Sequence, residues 1–231
     1  MESIRGMRDE LEQLCLRGMR TAMDEEHIRE REEAHRRERA REERMRRKDI
    51  LDAMHVPLDD DGRARVIRGD LSETRPLAAV RTALSVSRPH RFVLLTGGDN
   101  AGKSVGTGKT TAAAHALVSM GGGLYIESAE LATIAASRRF EDRERMRLAR
   151  EVECLVVDEL GVEPTRDART ARDVALFDIV NRRQSRPKIT ILITNLTTKA
   201  ITAQLDERVR SRMRSSYIVV DCTGEDMRRA K

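Results

Sequence analysis

The sequence predicts an α/β fold, a parallel sheet flanked by helices with a charged helical arm ahead of it. Three observations carry this. From residue 92 onward, strand-length apolar runs alternate with helical stretches, which is the signature of parallel strands joined by helical crossovers. A glycine-rich stretch, GGDNAGKSVGTGKTT, lies between the first such run and an alanine-rich helix start. Between residues 24 and 49 most positions are Glu or Arg, a pattern that supports a solvated helix and offers no core.

Taken in order, Ile4, Met7, Leu11 and Leu14 recur at heptad-like spacing. Residues 1–23 are therefore expected to form an amphipathic helix whose narrow stripe packs on its own domain or on another protein. In the Glu/Arg run, Glu25/Arg29, Glu32/Arg36, Glu33/Arg37, Glu42/Arg46 and Glu43/Arg47 stand at i,i+4 in the favourable order. Each such pair adds roughly 0.2–0.5 kcal/mol to a helix. Apolar interruptions are too sparse for a coiled-coil seam, and Arg44, Arg46, Arg47 and Lys48 make a basic end. Pro57 and Asp59-Asp60-Asp61-Gly62 then break the helix. The expected division is an arm over 1–54, a linker over 55–75 and an α/β domain over 76–231.

Pro76, after Ser72 and Thr74, opens a helix that should end near Ser87-Arg88-Pro89. Phe92–Thr96 reads as the first strand and 109–120 as its helix, stopped by Gly121-Gly122-Gly123. Leu124–Glu127 is a short second strand, and 128–138 and 141–151 are helical. Cys154–Val157 is a wholly apolar third strand running into Asp158-Glu159. After a loop with Pro164, residues 169–184 form a helix with Val174, Leu176, Phe177 and Val180 on its apolar side. Ile189–Ile193 is a fourth strand ending at Thr194-Asn195; short helices over 198–213, a strand at Tyr217–Val220 and a charged tail complete the chain.

Composition narrows the function classes. The chain has 231 residues, a formal charge of +5 and 36% charged residues, compatible with a nucleic-acid or acidic partner. Aromatics are only 2%, so stacking platforms for bases are scarce. Cys15, Cys154 and Cys222 are far apart and in no Cys-x-x-Cys pair, which predicts reduced thiols in a cytoplasmic protein. No run is apolar enough to span a membrane and no signal-type segment opens the chain.

The glycine-rich stretch contains two overlapping phosphate-loop patterns, Gly97 to Ser104 and a second ending in Gly108-Lys109-Thr110. Helix physics chooses between them, because the loop's lysine must open a helix whose free N–H groups face the phosphates. After Lys103 come Ser-Val-Gly-Thr-Gly, and each glycine costs about 0.8–1 kcal/mol relative to alanine. After Lys109 come Thr-Thr-Ala-Ala-Ala-His-Ala-Leu-Val, a competent helix. Asp99-Asn-Ala-Gly-Lys-Ser104 then reads as an insertion. Its removal leaves Gly97-Gly98-Val105-Gly106-Thr107-Gly108-Lys109-Thr110, a regular Walker A loop.

Ligands of open α/β sheets bind beyond the carboxyl ends of the strands, and three strands end here in the residues that nucleoside triphosphate hydrolysis requires. Backbone N–H groups of Gly106, Thr107, Gly108, Lys109 and Thr110, followed by Thr111, are expected to cradle the phosphates of ATP. Lys109 neutralises their charge and the Thr110 hydroxyl ligates Mg²⁺. Asp158 holds Mg²⁺ through water, and Glu159 orients or deprotonates the attacking water. Asn195 is placed to hydrogen-bond the γ-phosphate or that water.

These residues resemble the helicase-loader and IstB-like branch of the AAA+ ATPases, the DnaC-like proteins. The resemblance runs from about Leu51 through Gly97-Gly98, GTGKT (106–110), LVVDELG (155–161), ILITNL (191–196), DERVRSR (206–212) and GEDMR (224–228). It implies a homo-oligomeric ATPase in which an arginine of one subunit completes the neighbour's site, by position Arg212 with Arg208 as second choice. It also implies that Arg228 contacts nucleotide in its own subunit, and that single-stranded DNA and a replicative helicase are partners, the helicase held by the arm. The IstB-like alternative replaces the helicase with a transposase. A non-hydrolysing scaffold, its phosphate loop spoiled by the insertion, is the reading from another class. A small-molecule kinase would leave the arginine elements without purpose.

Overall fold

The computed structural model describes residues 2–54, 75–85, 92–98, 106–186, 188–214 and 216–224, with side chains described from His27 onward. It divides into two compact units, Met1–Arg46 and Arg47–Lys231. Helix α1 (Glu2–Ala53) supplies all of the first unit that is described. The stripe expected at Ile4 to Leu14 falls on side chains outside the described set. In the Glu/Arg run, Ile28 and Met45 are exposed, and Arg37 donates to Glu33 at 3.3 Å. Both partners of that pair are open to water, where ion pairs contribute little.

In the second unit the described elements are α2 (Arg75–Leu84), β1 (Phe92–Thr96), α3 (Lys109–Ser119), β2 (Leu124–Glu127), α4 (Ser128–Ala136), α5 (Phe140–Glu151) and β3 (Cys154–Asp158). They continue with α6 (Arg166–Arg183), β4 (Ile189–Ile193), α7 (Thr198–Gln204), α8 (Glu207–Met213) and β5 (Tyr217–Asp221). The strands form one parallel sheet in the order β2-β3-β4-β1-β5. This is the fold class expected from sequence. Strands β1, β3 and β4 are buried at every position, as parallel strands covered on both faces must be. Alternate residues feed two cores. Val93, Leu95, Val156 and Ile191 pack against α2, α3 and Leu51 of α1; Phe92, Leu94, Leu155, Val157 and Leu192 pack against α4 to α8. Only the β1-to-β2 connection runs backward along the strand order, and right-handed crossovers put its helix opposite the others.

Three differences from the sequence reading have physical causes. The second unit begins at Arg47, ahead of the expected end of the arm at residue 54, because the last turns of α1 belong to the core: Leu51 is fully buried. Met54 Sδ accepts the Gly123 N–H at 3.0 Å. Helix α6 starts at Arg166 because Thr165 caps it, its hydroxyl accepting from Ala168 N–H at 3.1 Å. Val174 is 57% exposed, while Arg172, Ala175, Leu176, Ile179, Val180 and Arg183 line the buried stripe. Their spacing follows the helical period more closely than the set chosen by hydrophobicity. Phe177 is partly buried against the second core. Most of the linker lies outside the described residues, with Arg75 opening α2. The remainder of that helix's expected end, at Ser87 to Pro89, is also outside them.

Cys154 and Cys222 are free and buried, and burial pushes their thiols up to about 12 and about 11. Neither is a ready nucleophile. Among the described residues no helix is long and apolar enough to cross a membrane.

One buried cation organises the approach to the site-bearing strands. Arg183 has no exposed surface. Its guanidinium donates to Val152 O at 2.6 Å, Ala149 O at 3.3 Å, Ile189 O at 2.6 Å, Glu153 O at 3.4 Å and Thr190 Oγ1 at 2.8 Å. It thus ties the end of α5 and the starts of β3 and β4 together, and burial lowers its pKa to about 10, still protonated at neutral pH. Removing it leaves buried carbonyls without donors. Arg183→Met is expected to lose about 1–3 kcal/mol, read in urea unfolding as a lower midpoint with unchanged slope. The neighbouring Arg182, which is 61% exposed, should tolerate the same change within about 0.5 kcal/mol.

Candidate functional site

The turn ahead of α3 is built on glycines. Gly106 and Gly108 have φ of 74° and 85°, a left-handed region that side chains with a Cβ rarely enter. Gly108 is the N-cap and carries no side chain to occupy the first-turn N–H groups, which are therefore arranged as an anion-binding terminus. Lys109 is the first residue of the helix, and Ala112 N–H closes the first turn on Gly108 O at 2.9 Å. Lys109 and Thr107 are each 6% exposed, and Lys109 Nζ donates to Thr107 Oγ1 at 3.4 Å. Lys103 and the Asp99–Ser104 insertion lie outside the described residues. At the front of the loop Gly98 has φ of 68°, a region that favours glycine, and a Cβ there would meet the Thr223 side chain of the segment after β5.

Asp158, at the carboxyl end of β3, is the hub. It is 5% exposed. Its Oδ2 accepts from the Thr110 hydroxyl at 2.9 Å and the Tyr125 hydroxyl at 2.8 Å, and its Oδ1 from Glu159 N–H at 2.6 Å. The phosphate-loop helix and the acidic strand end, 48 residues apart, are therefore joined by a direct bond. Glu159 is exposed and has φ of 56°, a strained conformation for a non-glycine residue of the kind that clusters at functional sites. The turn that holds it is pinned. Leu160 N–H donates to Ile193 O at 2.8 Å and Thr194 Oγ1 to Leu160 O at 2.6 Å. Beyond it, Gly161 N–H donates to Glu163 Oε1 at 3.3 Å, as does the Ser128 hydroxyl. Glu163 in turn pairs at 3.2 Å with Arg172, both fully buried.

The carboxylates feel one another. Glu127, paired in register with Asp158 across β2 and β3, has its pKa raised, first by burial and then by the charges of Glu159, Asp158 and Glu130. The Tyr125 phenol is pushed far above its ordinary range by burial, and further by the Asp158 charge and the bond to it. It is a hydrogen-bond donor at any physiological pH.

Lys109, Thr110, Asp158 and Glu159 are thus brought together. Asn195 follows β4 and is exposed. Arg208 is engaged within its own chain, donating to Asp206 at 3.0 and 3.1 Å and lying 5.0 Å over the Phe177 ring. Arg212 is exposed on α8 and makes no ion pair among the described residues. Arg228 lies outside the described residues. Sequence reasoning missed Tyr125, Thr194, Glu163 and Arg172. The Ser and Glu flanking the strand ends gave no periodic signal, and Tyr125 read as one more apolar strand residue.

Thr110 and Asp158 present hard oxygen donors suited to Mg²⁺. No group of three or more His, Cys, Asp or Glu among the described residues forms a metal cage.

No protein-family model matches the chain, and no curated protein matches it. The chain is similar to replication proteins of known structure. It is 22% identical to DnaI, with a TM-score of 0.48, over 74% of this chain and 87% of that one. With the DnaC helicase loader it shares 16% identity and a TM-score of 0.46, over 70% of this chain and 90% of the loader. With the replication initiator DnaA, bound to AMPPCP and single-stranded DNA, it shares 19% identity and a TM-score of 0.49, over 65% of this chain and 47% of DnaA.

If the loop works through the helix that opens at Lys109, Lys109→Ala will abolish binding in a fluorescent-nucleotide titration while Lys103→Ala retains most of it. The opposite ranking would move the working loop to the first pattern.

Proposed function

We propose that the chain is a Mg²⁺-dependent ATPase of the AAA+ class that works as a cytoplasmic, DnaC-like helicase loader. The observation that carries the ATPase reading is the Thr110–Asp158 hydrogen bond, which joins a phosphate-type helix start to an acidic strand end with an exposed glutamate beside it. Backbone N–H groups of residues 106–110 bind the phosphates and Lys109 offsets their charge. Thr110, its proton committed to Asp158, offers lone pairs to the cation, and Asp158 orients it. Bound Mg²⁺ supplies charge neutralisation to the phosphates. Glu159 accepts the proton of the attacking water, and its position on a pinned turn keeps the carboxylate aimed without cost at the moment of reaction. Asn195 orients the γ-phosphate or the water.

Oligomeric action in trans is supported by the contrast between the two arginines. Arg208 is held by Asp206 and Phe177, whereas Arg212 is exposed without an ion pair among the described residues and suits a finger aimed at a neighbour. For DNA, Arg138, Arg139 and Phe140 are exposed at the turn between α4 and α5, Phe140 at 71%. They supply the cationic and stacking groups a single strand needs. The arm is the partner-binding segment. Capture of a replicative helicase by the full chain supports the loader reading, and capture of a transposase replaces it with the IstB-like one.

Glu159→Gln should bind ATP and fail to turn it over, because the phosphate cradle and cation ligands remain while the base is lost. Unchanged hydrolysis in this variant would reduce Glu159 to a turn residue.

Arg212→Ala should bind ATP normally and hydrolyse it poorly, since trans arginines contribute about 10³–10⁵ in rate in related chemistry. Mixing it with Lys109→Ala chains, each inactive alone, should restore activity at interfaces that join an intact site to an intact finger. Co-assembly without recovery would remove Arg212 from the mechanism.

A further inference from the structure

Tyr125 has a side chain that the fold does not require. Its ring fills a core position on β2, 4% exposed, in the same apolar cluster as Val156 of the neighbouring strand and the α3 alanines. A phenylalanine would fill the same space without burying a hydroxyl. That hydroxyl donates at 2.8 Å to Asp158 Oδ2, the same oxygen that accepts from Thr110. Three donors face the Asp158 carboxylate: the Thr110 and Tyr125 hydroxyls and the Glu159 N–H. The Glu159 bond comes from the adjacent residue and fixes only Oδ1. The Thr110 bond comes from the first turn of α3. Tyr125 alone braces Oδ2 from the rigid sheet, since β2 pairs with β3 in register from Leu124 to Glu127. Glu127 nearby repels the Asp158 charge, and a donor facing it from the core side offsets that repulsion.

We propose that Tyr125 is a positioning residue that fixes the Asp158 carboxylate for the divalent cation, and so sets the Mg²⁺ dependence of nucleotide binding. This rests on the nucleotide reading of the site. Outer partners of this kind orient a ligating carboxylate, and their loss weakens metal binding by about 10–100-fold. The ring carries the packing and the hydroxyl carries the orientation. Tyr125→Phe therefore separates the two.

The test uses the full chain and a fluorescent ATP analogue, titrated in EDTA and at rising Mg²⁺. Tyr125→Phe should bind the analogue like wild type in EDTA, and should need about 10–100-fold more Mg²⁺ to reach the wild-type enhancement. Asp158→Ala should lose most of the Mg²⁺ enhancement, and adding Tyr125→Phe to it should change nothing more, because the hydroxyl then has no carboxylate to hold. An unshifted Mg²⁺ midpoint in Tyr125→Phe overturns the proposal. So does a further, additive loss in the double variant, which would mean that the hydroxyl acts through packing alone. Failure of the nucleotide reading looks different: wild type itself then binds no analogue, or binds it without any response to Mg²⁺.

Discussion

A single buried carboxylate sets the terms for this molecule. Asp158 stands almost without solvent at the end of an apolar strand, and a charge in that position is tolerated only when hydrogen-bond donors replace the water it has lost. The donors arrive from α3, from β2 and from the next residue along the chain. Satisfying one anion therefore fixes the phosphate-type loop against the sheet, because the Thr110 that serves Asp158 is the second residue of the helix that opens at Lys109.

The parallel sheet explains why polar chemistry gathers at this edge. With β1, β3 and β4 sealed on both faces, polar side chains find water or partners only where strands end. The strand ends are then cross-braced: Thr96 and Thr198 both donate to Asp221 at 2.6 and 2.5 Å, Thr194 holds Leu160, and Glu163 takes bonds from Ser128 and Gly161. This bracing over-determines the turn that carries Glu159, which is how a residue at positive φ persists in a folded chain. The cost is carried by a fully buried pair, Glu163 and Arg172. Such a pair contributes little to stability against an apolar substitute, yet is expensive to break on one side.

Much of this was legible before any coordinates. The limits of β1, β2 and β4 follow from apolar runs bounded by Gly, Thr and Asn. The start of α3 at Lys109 follows from glycine cost alone. What the sequence concealed has a common cause. Arg172 and Arg183 look like solvated charges on an arginine-rich helix, since their burial depends on carbonyls and a carboxylate contributed by segments distant in sequence. Val174 looked like core because hydrophobicity was weighed ahead of period. Tyr125 and Thr194 are ordinary strand residues until the register of β2 with β3, and of β4 with β1, places their hydroxyls. Leu51 was assigned to the arm because a helix rich in Glu and Arg gives no sign of where solvent ends and a core begins.

That last residue has a practical bearing on how the molecule is dissected. A fragment beginning in the 55–75 stretch, where composition suggests the cut, discards Leu51 and the Met54 sulfur bonded to Gly123. Emptying a leucine site of this kind costs about 2–5 kcal/mol, a large share of what holds a domain of this size together. Its poor behaviour would be blamed on the missing arm or partner, when the fault is a hole in the hydrophobic interior. A fragment that keeps the chain from Arg47 carries its own plug.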